Sequence, residues 1–167
     1  DQSVPQRVQH IPAAKALMAE AGVPDGFTVD LLAQKSGVIP ELAVLMQDQL
    51  KAIGITANIV QMSTDQYYGD LKFGTSPFLD STFGIDDYGH RGIPNVFLSA
   101  ALSSTGPWNA SHFHNPVYDA LMAEYFAATD LASQQAKAGQ IQRRLLEETP
   151  QLNLYFYNFN MVHSNAV

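Results

Sequence analysis

The sequence contains no cysteine, which excludes a disulfide framework, a thiolate metal site and a cysteine nucleophile. Basic residues are scarce, with 9 Lys and Arg against 16 Asp and Glu and a formal net charge of −7. Nucleic-acid phosphates and anionic bilayer surfaces both require a basic footprint, so neither is expected as a partner. No apolar run approaches the ~20 residues needed to cross a bilayer, and no membrane insertion is expected. The chain opens on Asp1-Gln2-Ser3-Val4-Pro5, without an initiator methionine or a signal-peptide core, and reads as a segment of something longer. What is there is 167 residues, 46% hydrophobic and 15% charged. That composition suits one globular core. With no repeat, low-complexity tract or composition shift, residues 1–167 are expected to form a single domain.

Turn chemistry divides the chain into elements. Pro12 opens a first helix that Gly22 closes, and Pro24-Asp25-Gly26 turns into a strand from Phe27 to Ala33. Ile39, Leu42, Met46, Leu50 and Ile53 recur at helical spacing up to Gly54, and Ile55 to Met62 reads as the next strand. Ser63-Thr64-Asp65-Gln66 has the form of a capping box, predicting a short helix to about Phe73. Phe78 to Ile85 reads as a third strand, followed by a loop-rich segment with a short helix over about Asn95–Ala101. Asn115-Pro116 and Asp130 start two further helices, and Gln151 to Asn158 reads as a final strand. Strands alternating with helices predict an α/β fold with a mostly parallel (mixed) sheet covered by helices.

The densest polar cluster is Asp86-Asp87-Tyr88-Gly89-His90-Arg91, directly after a predicted strand. Ligands of open α/β sheets bind beyond the carboxyl ends of strands. Two carboxylates, an imidazole and a guanidinium there suit acid–base chemistry or recognition of a charged ligand; a solvated turn with a local ion pair explains them about equally well. Trp108, in a loop flanked by Gly106-Pro107, is either a lid over the core edge or part of a ligand wall. His112 and His114 alternate as strand ligands would, but a third ligand is not evident, so weak and non-specific metal binding is expected. No glycine-flanked serine nucleophile and no phosphate loop occur, and no cofactor is implied.

Several stretches, taken in order, resemble the family 5 extracytoplasmic solute-binding proteins of ABC importers, the oligopeptide, dipeptide and nickel type. They are Ala13 through Leu31, Leu45 to Ile55, Gly84 to His90 with Pro94 to Leu98, His114 to Leu121, and Thr129 through Phe156. The resemblance spans about residues 12–160 and implies one C-terminal lobe of a two-lobed, periplasmic-binding-protein-like clamp without catalysis. It also implies a bacterial periplasmic or extracytoplasmic location, a peptide or other small-molecule ligand, and a membrane permease as partner through the full-length parent. A monomer is expected. In peptide-binding members an aspartate of this loop receives the ligand's α-amino group, and it aligns with Asp87. Many members carry tryptophan near this loop where Gly84 and Tyr88 stand here, which leaves the ligand open among peptides, nickel chelates, opines and sugars. The expected ligand-binding set is Asp86, Asp87, Tyr88, His90, Arg91 and Trp108. The alternatives are a small stand-alone α/β enzyme using Asp86, Asp87 and His90 as acid–base groups, and, more weakly, a structural interaction domain. For an excised lobe, Asp1–Gln9 and Met161–Val167 should lie together, away from the His112–Asn115 loop.

Overall fold

The computed structural model describes residues 4–89 and 91–156. Helix α1 (Ile11–Glu20) carries Pro12 in its first turn, and the His10 ring accepts a hydrogen bond from the Ala13 N–H. Strand β1 (Thr28–Gln34) and strand β2 (Thr56–Met62) pair in parallel from Thr28 opposite Thr56 to Gln34 opposite Met62. Helix α2 (Ile39–Lys51) connects them and lies on one face of the sheet. Gly26 and Gly54, in the turns that precede the two strands, both have positive φ; a Cβ on Gly26 would fall 1.9 Å from the Gly54 carbonyl oxygen. Only glycine allows these two turns to touch.

The predicted capping box is present: the Ser63 hydroxyl accepts from the Gln66 N–H and the Gln66 side chain accepts from the Ser63 N–H. Helix α3 (Thr64–Tyr68) therefore starts within two residues of the carboxyl end of β2. The expected strand Phe78–Ile85 is mostly not a strand. Pro77–Asp80 is a single helical turn, α4, and only Gly84–Ile85 pairs with β1, as β3. The cause is Asp80. Its carboxylate accepts from the Gly74 and Ser76 N–H groups at 2.9 and 3.1 Å, favouring a turn over extended backbone. The sheet order is β2-β1-β3, all parallel. Leu31, Ala33, Ala57 and Ile85 bury one face against Ile39 and Ala43 of α2. On the other face Leu32 and Met62 meet Tyr67, Phe78 and Leu79 of α3 and α4.

The regular elements that follow are helices. Helix α5 (Pro94–Leu102), helix α6 (Pro116–Ala127) and helix α7 (Leu131–Glu148) gather around Leu102, Tyr118 and Ile141. Asn115 caps α6 through the Val117 and Tyr118 N–H groups, and Asp130 caps α7 through that of Ser133. Residues 151–156 form no strand, so the expected strand over Gln151–Asn158 is absent as far as residue 156. Met161–Val167 lies outside the described residues. At the other end of the chain, Arg7 donates to the Leu146 carbonyl and to the Thr149 hydroxyl. Asn115 donates to Glu148 beside them at 3.0 Å. The N-terminal segment thus meets the same end of α7 as the loop it was expected to avoid, because Arg7 reaches the last carbonyls of that helix. In class the fold is the predicted α/β arrangement, a parallel sheet covered by helices.

Candidate functional site

All three strands run parallel, so Gln34, Met62 and Ile85 end on one edge of the sheet. The loop beginning at Asp86 leaves from that edge, and α3 begins there after β2. Tyr68, the last residue of α3, packs edge-on against Phe78 at 5.4 Å and Tyr67 at 5.3 Å between ring centroids. This orients its hydroxyl to donate 2.6 Å to Asp86 Oδ1. The same hydroxyl accepts from Gln34 Nε2 at 3.2 Å, and Gln34 Oε1 accepts from the Thr64 hydroxyl at 3.4 Å. Gln34 is buried, so its amide is satisfied within the network.

Asp86 is half-buried, and Asp87 next to it is exposed. Burial pushes the Asp86 carboxyl above the ordinary carboxylate range, and the Tyr68 hydrogen bond pulls back against it. Tyr67 and Tyr68 are both driven well above the usual phenol range, first by burial and also by the Asp86 charge. The two adjacent carboxylates therefore differ in environment: one is held inside by a phenol, the other faces water.

Tyr88 and Trp108 stand edge-on to each other at 6.3 Å, with Phe97 against Tyr88 at 4.8 Å. The Arg91 guanidinium lies over both rings, 5.2 Å from the Tyr88 centroid and 5.6 Å from that of Trp108, in cation–π range of each. Its Nη1 also donates to the Gly89 carbonyl at 3.1 Å. The Tyr88 hydroxyl is buried without a well-formed hydrogen bond. Burial pushes the Tyr88 phenol above its ordinary range, and the Arg91 charge opposes the rise. Tyr88, Arg91 and Trp108 are thus brought together, and Asp86 and Asp87 precede them on the same loop. His90 lies outside the described residues.

A cleft of about 570 Å³ is lined by Phe73, Ser104, Gly106, Pro107, Asn109 and His112. None of the predicted site residues lines it, although Pro107 and Asn109 flank Trp108. His112 has positive φ, bonds the Leu79 carbonyl through Nε2 at 2.9 Å, and stands edge-on to Phe73; it ties the α5–α6 loop to α4. No group of three or more metal-ligating side chains occurs among the described residues.

Tyr68 and Gln34 are absent from the set read off the sequence. A signal existed for Gln34, which ends strand β1, by the rule that singled out Asp86; Tyr68 lies six residues beyond the end of β2, on α3. What sequence could not supply is the 2.6 Å contact across 18 residues.

The family model described as "Bacterial extracellular solute-binding proteins, family 5 Middle" matches residues 1–104. The chain is 27% identical over 147 residues to the periplasmic oligopeptide-binding protein OppA of Escherichia coli K12, covering 86% of this chain and 26% of that one. It is 34% identical over 125 residues to heme-binding protein A of Haemophilus influenzae, covering 70% and 22% respectively. Among solved structures, HbpA2 from Haemophilus parasuis superposes with a TM-score of 0.76 at 24% identity, over 90% of this chain and 30% of that one. The dipeptide-binding protein from Pseudoalteromonas sp. SM9913, solved with Met-Leu, gives 0.70 at 26% identity, over 83% and 28%. The chain therefore spans about a quarter of the length of its relatives.

Proposed function

The chain belongs to the bacterial extracellular solute-binding proteins, family 5, and from that membership we propose that residues 1–167 are one lobe of a two-lobed binding protein serving an ABC importer. The lobe captures a peptide or similar small solute in the periplasm or another extracytoplasmic space. The complete protein hands that solute to a membrane permease and catalyses nothing. The observation that carries the reading is the loop from Asp86 to Arg91, leaving the carboxyl edge of a parallel sheet with an exposed carboxylate beside an aromatic–guanidinium stack. In this reading Asp87 attracts a ligand ammonium, Tyr88 and Trp108 exclude water from one side, and Arg91 completes the polar wall. The enzyme alternative is disfavoured by Asp86, whose carboxyl is committed to Tyr68.

The test belongs in the complete protein, where a second lobe can close and dry the site. Charge attraction strengthens as water is excluded, and truncating one partner of a buried pair costs roughly 2–5 kcal/mol. Asp87→Asn is therefore expected to weaken free-amine dipeptides such as Met-Leu by at least tenfold and N-acetyl-Met-Leu hardly at all. Calorimetry on both proteins with both peptides decides; equal affinities throughout would remove Asp87 from the ligand site.

A further inference from the structure

The network beneath the loop has a consequence for how Asp87 is presented. Tyr68 bonds the Asp86 carboxylate at 2.6 Å, and its hydroxyl lies 3.5 Å from the Asp87 carbonyl oxygen. Gln34 fixes Tyr68 from the end of the central strand, and Thr64 fixes Gln34 from the first turn of α3. The strand is equally confined two residues before Asp86, where a Cβ on Gly84 would lie 2.9 Å from the Tyr67 hydroxyl. Helix α3 and strand β1 therefore converge on the Asp86 carboxylate and the Asp87 carbonyl. A hydrogen bond to an ionised carboxylate is about twice as strong as one between neutral groups, so the hold depends on Asp86 remaining charged.

We propose that Tyr68 is a positioning residue of the ligand site: through the Asp86 carboxylate it locks the backbone of Asp87, and protonation of Asp86 loosens that lock. This rests on the binding role given above to Asp87. The groups facing Asp86 are Tyr67 and Tyr68 from α3, Gln34 from β1, and Asp87 and Tyr88 from its own loop. The tyrosines, all raised above the phenol range, stay protonated in acid, so Tyr68 is a donor throughout it. Acidification through the raised Asp86 range should then weaken the lock and diminish capture of a cation. Because the Tyr68 hydrogen bond favours the charged form, removing it must move the Asp86 titration to higher pH.

The experiment compares wild-type protein with Tyr68→Phe, first without ligand. Carbon-detected NMR follows the Asp86 side-chain carboxyl against pH, and amide exchange is read at Asp87, Tyr88, Leu31 and Ala33. The expected result is an upward shift of the Asp86 titration with faster exchange at Asp87 and Tyr88 and unchanged exchange at Leu31 and Ala33. An unmoved Asp86 titration, or exchange quickened equally in β1, overturns the proposal and leaves Tyr68 a packing residue. The second arm measures Met-Leu affinity from pH 7.5 downward. Tyr68→Phe should weaken it about fivefold at pH 7.5 and shift the acid fall-off upward. If Asp87→Asn weakens Met-Leu and Tyr68→Phe does not, the positioning role fails and the binding role stands. If neither variant alters affinity, the binding role itself fails.

Discussion

The two halves of the molecule are held together by different means. The sheet half closes around Leu31, Ala33, Ile39, Ala43, Ala57 and Ile85, side chains without a single polar atom. Its strands are joined by the parallel ladder, to which Gln47 adds a bond to the Ala57 carbonyl at 2.7 Å. The helical half has its own apolar centre at Leu102, Tyr118 and Ile141, but the loop that enters it is stitched by side chains reaching to backbone. Asn109 alone donates to the Ser103 and Phe113 carbonyls and accepts from the Phe113 N–H. Tyr118 donates to the Leu98 carbonyl at 2.9 Å. The difference follows from accounting for backbone groups: strands satisfy one another, whereas a buried loop must borrow polar side chains. Leu31→Ala should therefore produce the largest loss, roughly 3–5 kcal/mol from transfer and cavity terms, read as a lowered urea midpoint. A loss below about 1 kcal/mol would mean that the sheet core is not the main support.

The comparison sharpens at Asn109. Replacing it with alanine leaves the Phe113 carbonyl and N–H without their partner, while the Ser103 carbonyl keeps the Gly106 N–H, at a cost of about 2 kcal/mol. Its effect should be local: amides of residues 104–115 should exchange faster while those of β1 keep their protection. Uniform loss across both halves would show that they unfold as one unit and that the distinction drawn between them has no energetic content.

The same division explains what could be read before folding. β1, α2 and β2 follow from period and punctuation because their instructions are local: alternation, helical spacing, and glycine after each helix. The caps at Ser63, Asn115 and Asp130 were legible for the same reason, each bonding within three residues of itself. Phe78–Ile85 was misread because its β-forming composition concealed Pro77 and the Asp80 carboxylate, which bonds backward to Gly74. At the candidate site the loop was legible as a polar run after a strand, but its organisation was not. Tyr68, Gln34 and the Arg91 stack on Trp108 depend on contacts between residues 17 to 34 positions apart, which no local pattern encodes.

The smallest expected effect separates these modes of support from a third, the ion pairs on the helical half. Arg144 lies 3.2 Å from Glu147 and 3.3 Å from Glu148 on the same helix, all three side chains partly solvated. Pairs at that spacing gain little over hydration and lose side-chain freedom, and are worth about 0.5 kcal/mol or less. Glu148 also accepts from Asn115 at 3.0 Å, so its carboxylate keeps a partner when the arginine is gone. Arg144→Gln should then shift the urea midpoint barely beyond error, and 0.5 M salt, which screens exposed charges within a few ångströms, should erase the shift. A salt-sensitive loss above about 1.5 kcal/mol would contradict this. It would mean that the end of α7, where Arg7, Asn115 and Thr149 converge, is held by charge rather than by the Asn109 and Tyr118 bonds, and that the helical half owes its stability to its surface.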